Sequence, residues 1–416
     1  MGARVSDFVH RARVLYRHPS FRRLLLLNVL QGISTSFVAP FMSMFGTLEV
    51  RMSLVRFGTF MTLNAASGIV ISTVLAHYSD VRVSRRAILL VASVAGCIGY
   101  LGYAYLRSFW SLVAVGSLAL GVSSITFSQL FAYARELLSE SDADPALSAF
   151  YINVFRMFIA LAWTIGPAIA SIILVRFSYR GLFLGAAADL ALFAAVVWHG
   201  VPAGRPRASL SREPSSQSLL ALLARGDVLA HFAAFVLITA AMTVAMMNLP
   251  LFIVKTLGGS EANVGVAYSV APVFELPFML YFGWLATRHL AARIIRVGML
   301  ISAAYYASLC LVTAPWHVYL CQALAAAATA VISGVAITYF QNHLPHHPGT
   351  ATNLYSTSQR IGSTAGYFLF VGLAWRFGYR AVFEGCVLFA VLGLALMLVP
   401  VRAPAGNDSI HAALSR

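Results

Sequence analysis

The sequence predicts an all-α polytopic membrane protein with twelve transmembrane helices in two pseudo-symmetric bundles of six. Of its 416 residues, 60% are hydrophobic and only 10% are charged, which is more apolar than a soluble domain of this size requires. Twelve apolar stretches are each long enough to cross a bilayer. A segment late in the first half of the chain recurs late in the second half, which indicates an internal repeat.

One polar break divides the apolar stretches into two sets. The stretches lie near residues 24–45, 57–77, 87–106, 109–132, 147–174 and 181–200, and then near 228–254, 262–286, 291–312, 315–341, 350–374 and 381–400. The break is rich in Pro, Ser and Arg, a composition typical of linkers. The sequence therefore predicts an N-terminal bundle over 1–200, a cytoplasmic linker over 201–227 and a C-terminal bundle with a short tail over 228–416.

The distribution of basic residues predicts the orientation of the spans. Nineteen of the 29 lysines and arginines fall on one side, eight fall on the other, and Arg156 and Arg360 lie within spans. Because cytoplasmic loops carry the excess of Lys and Arg, both termini are predicted to be cytoplasmic. The net charge of +15 is spread over span ends and is not gathered in a basic domain, which argues against a nucleic-acid partner.

The internal repeat is clearest before the sixth and twelfth spans. VRFSYRGLFLG (175–185) and WRFGYRAVFEG (375–385) share Arg, Phe, Tyr, Arg, Phe and Gly in register. A tyrosine precedes the in-span arginine by five residues in both halves, as Tyr151 before Arg156 and Tyr355 before Arg360. The fifth and eleventh spans are therefore predicted to be equivalent helices of the two bundles.

Arg156 is predicted to lie close to the bilayer midplane, where an arginine costs about 2.5–3.5 kcal/mol on insertion scales. Polar, small and aromatic residues follow steps of three and four around it and so share one helix face. The residues of that face are Asn153, Arg156, Ala160, Trp163 and Pro167. We expect this face to line a passage for a substrate or an ion, and a structural ion pair between helices is the alternative.

Glu275 lies near the middle of the eighth span. A carboxyl group removed from water is more stable neutral than charged, so Glu275 is the candidate for proton exchange. A fixed salt bridge to Arg156 or Arg360 is the alternative. Side chains that can hydrogen-bond hydroxyl groups complete the predicted binding set, namely Asn248, Gln341, Asn353 and Tyr355.

Charged residues also gather at the ends of the second and fourth spans. These are Asp80, Arg82, Arg85 and Arg86 after the second span, and Arg135 and Glu136 at the end of the fourth. An acid at a span end can lie against a helix N-terminus, while the arginines pair with an acid such as Glu136. We expect a clasp that favours one conformation and breaks in another. For Arg85 and Arg86, a purely topogenic charge is the alternative.

The pair Gly166 and Pro167 predicts a bend in the fifth span, because proline removes a backbone hydrogen bond and glycine permits close helix packing. His343, His346 and His347 lie in a loop with no neighbouring acid or thiol, and the four cysteines form no CxxC pair. We therefore expect no metal, disulfide or other cofactor. The sequence contains no phosphate-binding loop, so ATP is not expected to drive it.

Five segments resemble the bacterial sugar efflux transporters of the major facilitator superfamily. They are FAYARELL (131–138), NVFRMFIALAWTIGPAIA (153–170), NLPLFI (248–253), FELPFML (274–280) and YFQNHLPHHPGTATNLYSTSQRIG (339–362). The resemblance implies two six-helix bundles that rock around a midplane site, and export of small sugars, glycosides or sugar analogues against inward proton flow. It places on matching positions Arg135, Glu136, Arg156, Trp163, Asn248, Glu275, Gln341, Tyr355 and Arg360.

We therefore expect a monomeric transporter, not an enzyme, in the bacterial inner membrane, with a sugar and protons as its partners. A multidrug antiporter of the same fold is the nearest alternative. A membrane-embedded transferase is a more distant alternative. It would need clustered acids or a His–Asp pair at one membrane face, and apart from the acid-rich loop 136–144 the sequence shows neither.

Overall fold

A computed structural model describes residues 19–82, 84–140, 145–202, 223–286, 288, 290–343 and 348–400. Side chains are described throughout these ranges except at 75–82, 139, 140, 145–150, 152, 153, 156, 343, 348 and 349. The described residues are almost entirely helical. Only they enter the structural statements that follow.

The longer helices are α1 Pro19–Val38, α2 Leu54–Arg82, α3 Arg85–Tyr105, α4 Phe109–Val115, α5 Thr126–Glu140, α6 Pro145–Gly200, α7 Gly226–Leu251, α8 Glu261–Ala286, α9 Ala291–Leu311, α10 Pro315–His343 and α11 Pro348–Leu396. Short turns extend α1 (a 3₁₀ turn Ala39–Phe41, a helical turn Met42–Met44 and a π turn Phe45–Glu49), join α4 to α5 (a π turn Gly116–Leu120 and a helical turn Gly121–Ser123) and extend α7 (a π turn Phe252–Thr256).

Local sequence signals mark where several helices begin. Four of them start at a proline, which lacks the N–H that a first helical residue would leave unpaired (Pro19, Pro145, Pro315 and Pro348). Helix α3 begins after Ser84, whose hydroxyl accepts a hydrogen bond of 3.3 Å from the Ala87 N–H. Each of these residues stands at, or just before, the first residue of an apolar run that proceeds as a helix.

Ten helical stretches in the described part of the chain are long and apolar enough to cross a membrane. Two of them, within α6 and α11, span 44 and 47 residues and are each broken once. The break in α6 is at Ser178 (φ 58°, ψ −173°), and the break in α11 is at Gly378 (φ 80°, ψ 168°). Each of these helices therefore consists of two arms, which we call α6a and α6b, and α11a and α11b. That α6 and α11 each cross the membrane twice, which would give twelve crossings in all, stays a prediction.

The two breaks occupy the same position in the two repeated segments, 175–185 and 375–385. The repeated sequence therefore takes the same backbone turn in both halves of the chain. Glycine adopts this conformation without strain, whereas serine has a Cβ that crowds the backbone there. The first copy thus carries a strained residue where the second copy carries the relaxed one.

Helices α1–α6 pack mainly on one another, and so do α7–α11, which gives an N-terminal and a C-terminal bundle. Each bundle has an aromatic contact at the π turn that follows its first helix. Phe45 meets Phe183 edge to face at 4.6 Å between ring centroids, and Phe252 meets Phe383 at 5.1 Å. All four rings are fully buried. The bundles meet where α6a packs on α8 and where α2 packs on α11a.

Candidate functional site

The bundles are in close contact at one end of their interface, which we call the closed end. Gly58 of α2 lies against Val371 of α11a, where a Cβ on Gly58 would overlap Val371 Cγ2 and lie 3.4 Å from the Tyr367 carbonyl oxygen. On the other side of the interface, a Cβ on Gly265 of α8 would lie 2.5 Å from Ser171 Cβ of α6a. Glycine at both positions therefore lets the backbones of opposite bundles approach.

Toward the other end of the interface, α8 makes no close glycine contact of this kind in the described part of the chain. Gly283 lies on the face of α8 that carries Gly265, about five turns further along a helix of 3.6 residues per turn. A Cβ on Gly283 would meet no described atom within 4 Å. The described parts of α6a and α8 thus touch at the closed end, whereas Gly283 has no described neighbour at the opposite end, and we infer that a space separates the bundles there.

Helix α11a presents a polar face to this space. Counting back from Val371 and Tyr367 in steps of three and four reaches Thr364, Arg360, Thr357 and Asn353. Arg360 and Asn353 are exposed, and the Thr364 hydroxyl is held by a 2.9 Å hydrogen bond to the Arg360 carbonyl. Since Val371 and the Tyr367 carbonyl on this face lie against Gly58 of the opposite bundle, we infer that Arg360 and Asn353 are exposed to the space between the bundles.

Helix α6a presents the equivalent face. Positions 153, 156, 160 and 163 continue, in steps of three and four, the face on which Pro167 and Ser171 approach Gly265. Trp163 is half-buried on this face. The side chains of Asn153 and Arg156 lie outside the described residues. The helix positions of both residues are described, and their contacts with a substrate stay predictions.

Gly166 and Pro167, neighbours in α6a, contact different bundles. A Cβ on Gly166 would lie 2.9 Å from Ser36 Cβ of α1, so this glycine permits close packing inside the N-terminal bundle. The Pro167 carbonyl faces the opposite bundle, 2.8 Å from a Cβ on Gly265. The predicted bend therefore lies where α6a contacts both its own bundle and α8.

Glu275 is half-buried on α8 between two helix prolines, Pro272 and Pro277. It lies two turns beyond Tyr268, whose hydroxyl donates a 2.7 Å hydrogen bond to the Met246 carbonyl of α7. Glu275 therefore lies toward the α7 side of α8. No ion pair joins it to Arg360 in the described part of the chain.

Three other predicted binding residues are engaged within the C-terminal bundle. Asn248 is fully buried and donates a 2.7 Å hydrogen bond to the Tyr379 carbonyl. Gln341 donates a 3.2 Å hydrogen bond to the Thr352 hydroxyl. The ring of Tyr355 packs near Phe235 and Phe340, with centroids 6.0 and 6.1 Å away. Their contact with a substrate stays a prediction.

The charges at the start of α3 and the end of α5 form a partial cluster. Arg85 Nη2 lies 2.8 Å from Glu136 Oε1, and Arg85 Nη1 donates a 2.6 Å hydrogen bond to Gln129 Oε1. Arg86 instead stacks over the Trp198 ring at 4.8 Å, and Arg135 is exposed. The side chains of Asp80 and Arg82 lie outside the described residues. A conformational role for this cluster stays a prediction.

Sequence reasoning overlooked Gln129, which lies two turns before Glu136 on the same face of α5. That spacing was the available signal for it. Among the described residues, no group of three or more His, Cys, Asp or Glu side chains could hold a metal ion. The side chain of His343 and the residues His346 and His347 lie outside the described residues.

Two bundles of long apolar helices, joined by close glycine contacts, define a multi-pass α-helical membrane protein. The sequence profile of the Major Facilitator Superfamily matches residues 24–311 and 231–414. The two matched ranges overlap and together span nearly the whole chain.

Relatives of known name identify the family within the superfamily. A Deinococcus radiodurans protein assigned by name to the sugar efflux transporters is 34% identical over 92% of the chain and 98% of its own length. Sugar efflux transporter A of Dickeya chrysanthemi is 30% identical over 81% of the chain and 84% of its own length. The chain belongs to the major facilitator superfamily and, within it, to the sugar efflux transporter family. It is a transporter and not an enzyme.

The solved structures that the chain resembles show the fold. A crystal structure of the nucleoside transporter NupG, in its D323A variant, superposes with a TM-score of 0.77 at 12% identity, covering 91% of this chain and 99% of that one. A bacterial homologue of the human lysosomal transporter Spinster, in an inward-facing and occupied conformation, superposes with a TM-score of 0.71 at 14% identity, covering 92% and 96%.

Proposed function

We propose that the protein exports small sugars, glycosides or sugar analogues across the bacterial inner membrane, in exchange for protons and by alternating access. The observation that carries this proposal is the similarity to named sugar efflux transporters over almost the whole chain. The exposed polar face of α11a, with Asn353 and Arg360, supports it, because amide and guanidinium groups can hydrogen-bond sugar hydroxyls.

The predicted orientation assigns each end of the interface to one side of the membrane. With the termini in the cytoplasm, the closed end at Gly58 and Gly265 is periplasmic and the end near Gly283 is cytoplasmic. The conformation is then open to the cytoplasm, the side from which an exporter loads its substrate. Alternating access requires a second conformation in which the closed end separates.

Proton exchange is assigned to Glu275. It is the acid of α8 that lies between two helix-bending prolines and without an ion pair in the described residues. A carboxyl group in this setting can accept a proton at low energetic cost. Arg360 and Arg156 are then expected to compensate the negative charge of Glu275 or to bind the substrate as the cavity changes shape. A monomer is sufficient for this cycle.

Transport by purified protein in inverted, sealed vesicles tests the proposal. The lumen of such vesicles corresponds to the periplasm, so an acidic lumen should accelerate uptake of a radiolabelled sugar from the medium. Glucose, galactose and lactose form the first panel. Uptake of none of these sugars, together with gradient-driven uptake of apolar cationic dyes, would contradict the sugar assignment and favour a multidrug antiporter.

A further inference from the structure

Helices α3 and α6b form an apolar outer surface on the N-terminal bundle. They pack side by side, since a Cβ on Gly96 of α3 would lie 2.5 Å from Leu190 Cδ1 of α6b. The side of α3 away from this contact exposes an apolar stripe in steps of three and four, namely Val91, Val94, Ile98, Leu101 and Tyr105. Helix α6b exposes a stripe with the same steps, namely Ala188, Ala191, Ala195 and Trp198. Because α3 packs on elements of its own bundle, both stripes are available to lipid chains.

An arginine and a tryptophan join the two helices at one end of this surface. The guanidinium group of Arg86, in the first turn of α3, lies over the ring of Trp198 at 4.8 Å from its centroid. Trp198 is 59% exposed and Arg86 is half-buried. By its place after the second span, this end of the surface is predicted to be cytoplasmic, at the depth where tryptophan is enriched in membrane proteins.

The guanidinium group of Arg86 makes no hydrogen bond or ion pair within the described part of the chain. Its neighbour Arg85 differs, because it is bonded to Glu136 and Gln129. Stacking on an indole ring occupies a face of the guanidinium group and leaves its N–H edge available. Arg86 is thus held in place with its hydrogen-bond donors unused.

Two further arginines add positive charge at this end. Arg23 Nη1 of α1 donates a 3.3 Å hydrogen bond to the carbonyl of Gly200, two residues after Trp198 in α6b. Arg22 is exposed beside it. Among the described residues, neither arginine is paired with an acid. The ends of α1, α3 and α6b therefore present a basic group of side chains next to an apolar surface.

The second half of the chain lacks the stacked pair, although its fold is equivalent. The buried positions of α3 recur at the same spacing in α9, as in Ile88 and Ile294, and Tyr100 and Tyr306. At this spacing the position of Arg86 is occupied by Ala292. The repeat of 175–185 in 375–385 likewise places Leu398 at the position of Trp198. The fold is thus built without this pair in the C-terminal bundle, which favours a role for it other than packing.

We propose that Arg86 and Trp198 bind the headgroup of an anionic phospholipid, with its acyl chains along the exposed stripes of α3 and α6b. Guanidinium groups form paired hydrogen bonds with phosphate oxygens, and basic pockets between transmembrane helices suit anionic headgroups. Arg22 and Arg23 add attraction for a headgroup with a net negative charge, whereas a zwitterionic headgroup is neutral overall. The inference does not depend on the substrate that the protein transports.

Thermal unfolding of the purified protein in detergent provides the first test, with added phosphatidylglycerol, phosphatidylcholine or inorganic phosphate. Phosphatidylglycerol should raise the melting temperature of the unaltered protein more than the other two additions, because a ligand that binds the folded state stabilises it. Arg86→Gln should need about fivefold more phosphatidylglycerol for the same shift, the factor that corresponds to about 1 kcal/mol for one arginine near a membrane surface.

Arg180→Gln is the matched control. Arg180 is also exposed and lies over an aromatic ring, that of Tyr105, at 4.5 Å, but at the opposite end of the same surface. Its replacement should leave the response to phosphatidylglycerol unchanged. Equal loss in Arg180→Gln and Arg86→Gln would overturn the proposal, since it would reflect only the change in net charge. An equal effect of phosphatidylcholine, or of inorganic phosphate, would overturn the choice of an anionic lipid.

Fluorescence quenching by brominated lipids tests the position of the lipid without reference to stability. Trp198 is one of six tryptophans, so its signal is the difference between the unaltered protein and Trp198→Phe. Brominated phosphatidylglycerol should quench this difference at about fivefold lower mole fraction than brominated phosphatidylcholine, and Arg86→Gln should remove the preference. Equal quenching of Trp198 by the two lipids in the unaltered protein would overturn the proposal.

Discussion

Gly58 of α2 and Val371 of α11a approach so closely that a Cβ on the glycine would overlap the valine side chain. The two residues belong to opposite bundles, and the contact lies at the closed end of the interface. Gly265 makes the equivalent contact with Ser171 and the Pro167 carbonyl on the other side. The closed end thus depends on two glycines. The size of the residue at positions 58 and 265 should set the balance between the conformation in which this end is closed and the one in which it is open.

Replacing Gly58 or Gly265 by leucine should therefore open the closed end. Overpacking a close contact costs about 1–3 kcal/mol, which shifts a two-state equilibrium by about fivefold to 150-fold. We expect Asn353→Cys to be labelled by an impermeant maleimide from the periplasmic side in Gly58→Leu and Gly265→Leu proteins, and to be labelled weakly from that side in the protein with native glycines. Right-side-out vesicles provide the measurement.

Gly298→Leu is the matched control for this experiment. Gly298 lies inside the C-terminal bundle, where a Cβ would come 2.8 Å from Val331 Cβ. Its replacement should lower stability without increasing periplasmic labelling of Asn353→Cys. Equal labelling in all four proteins would mean that the glycine contacts do not control access.

Ser178→Gly should stabilise the protein. Ser178 has φ 58° and ψ −173°, a region that essentially only glycine adopts without strain, and the repeat-related position is Gly378. Relief of this strain is worth about 1–3 kcal/mol, less a few tenths to about 1 kcal/mol for the extra freedom of glycine in the unfolded chain. Thermal unfolding in detergent should show a higher melting temperature.

The reciprocal change provides the control. Gly378→Ser places a side chain where the structure has φ 80° and should lower the melting temperature. If Ser178→Gly instead destabilises the protein, the serine side chain makes a contact that outweighs the backbone strain.

Apolar stretches in the sequence were enough to predict the long helices, and periodicity predicted a polar face on the fifth span, whose contact with a substrate stays a prediction. The steps that join Asn153 to Pro167 and Asn353 to Val371 follow from helical geometry, and the structure brings Pro167 and Val371 to the opposite bundle. The family was also predictable, and the comparisons confirm it. Both results depend on local spacing and residue type, which a sequence displays directly.

The individual site residues were harder to predict. Tyr355 and Arg360 are five residues apart, which is 140° around a helix, so the two cannot share one face. Tyr355 accordingly packs inside its bundle while Arg360 is exposed. Which atoms of a buried amide are hydrogen-bonded depends on contacts between distant segments. The Asn248 N–H donates to the Tyr379 carbonyl, for example, whereas its Oδ1 has no partner in the described residues. Composition and spacing contain no record of such contacts.

Glu136→Gln should weaken the attachment of α3 to α5. The pair with Arg85 is partly exposed, with side-chain exposures of 18% and 36%, so its contribution to stability is expected to be about 1 kcal/mol or less. If the pair acts as a conformational clasp, transport should slow severalfold although the protein remains folded. Uptake rate and melting temperature, measured on the same preparation, separate the two effects.

A double-mutant cycle with Arg85→Gln provides the control, because it isolates the interaction between the two side chains. Arg85→Gln also removes the hydrogen bond to Gln129, so Gln129→Leu is measured alongside. Additive effects of the Arg85 and Glu136 changes on the uptake rate would contradict a clasp that acts through this pair.

Glu275→Gln should uncouple transport from the proton gradient. Glutamine keeps the size and hydrogen-bonding capacity of the protonated carboxyl group but cannot release a proton. In inverted vesicles, an acidic lumen should accelerate sugar uptake by the unaltered protein and leave uptake by Glu275→Gln unchanged, while sugar exchange without a gradient continues in both. Glu261→Gln is the matched control, since Glu261 lies in the first turn of the same helix and should leave the response to the gradient intact. A full response of Glu275→Gln to the gradient would remove Glu275 from the proton pathway and would direct the search to acids on other helices.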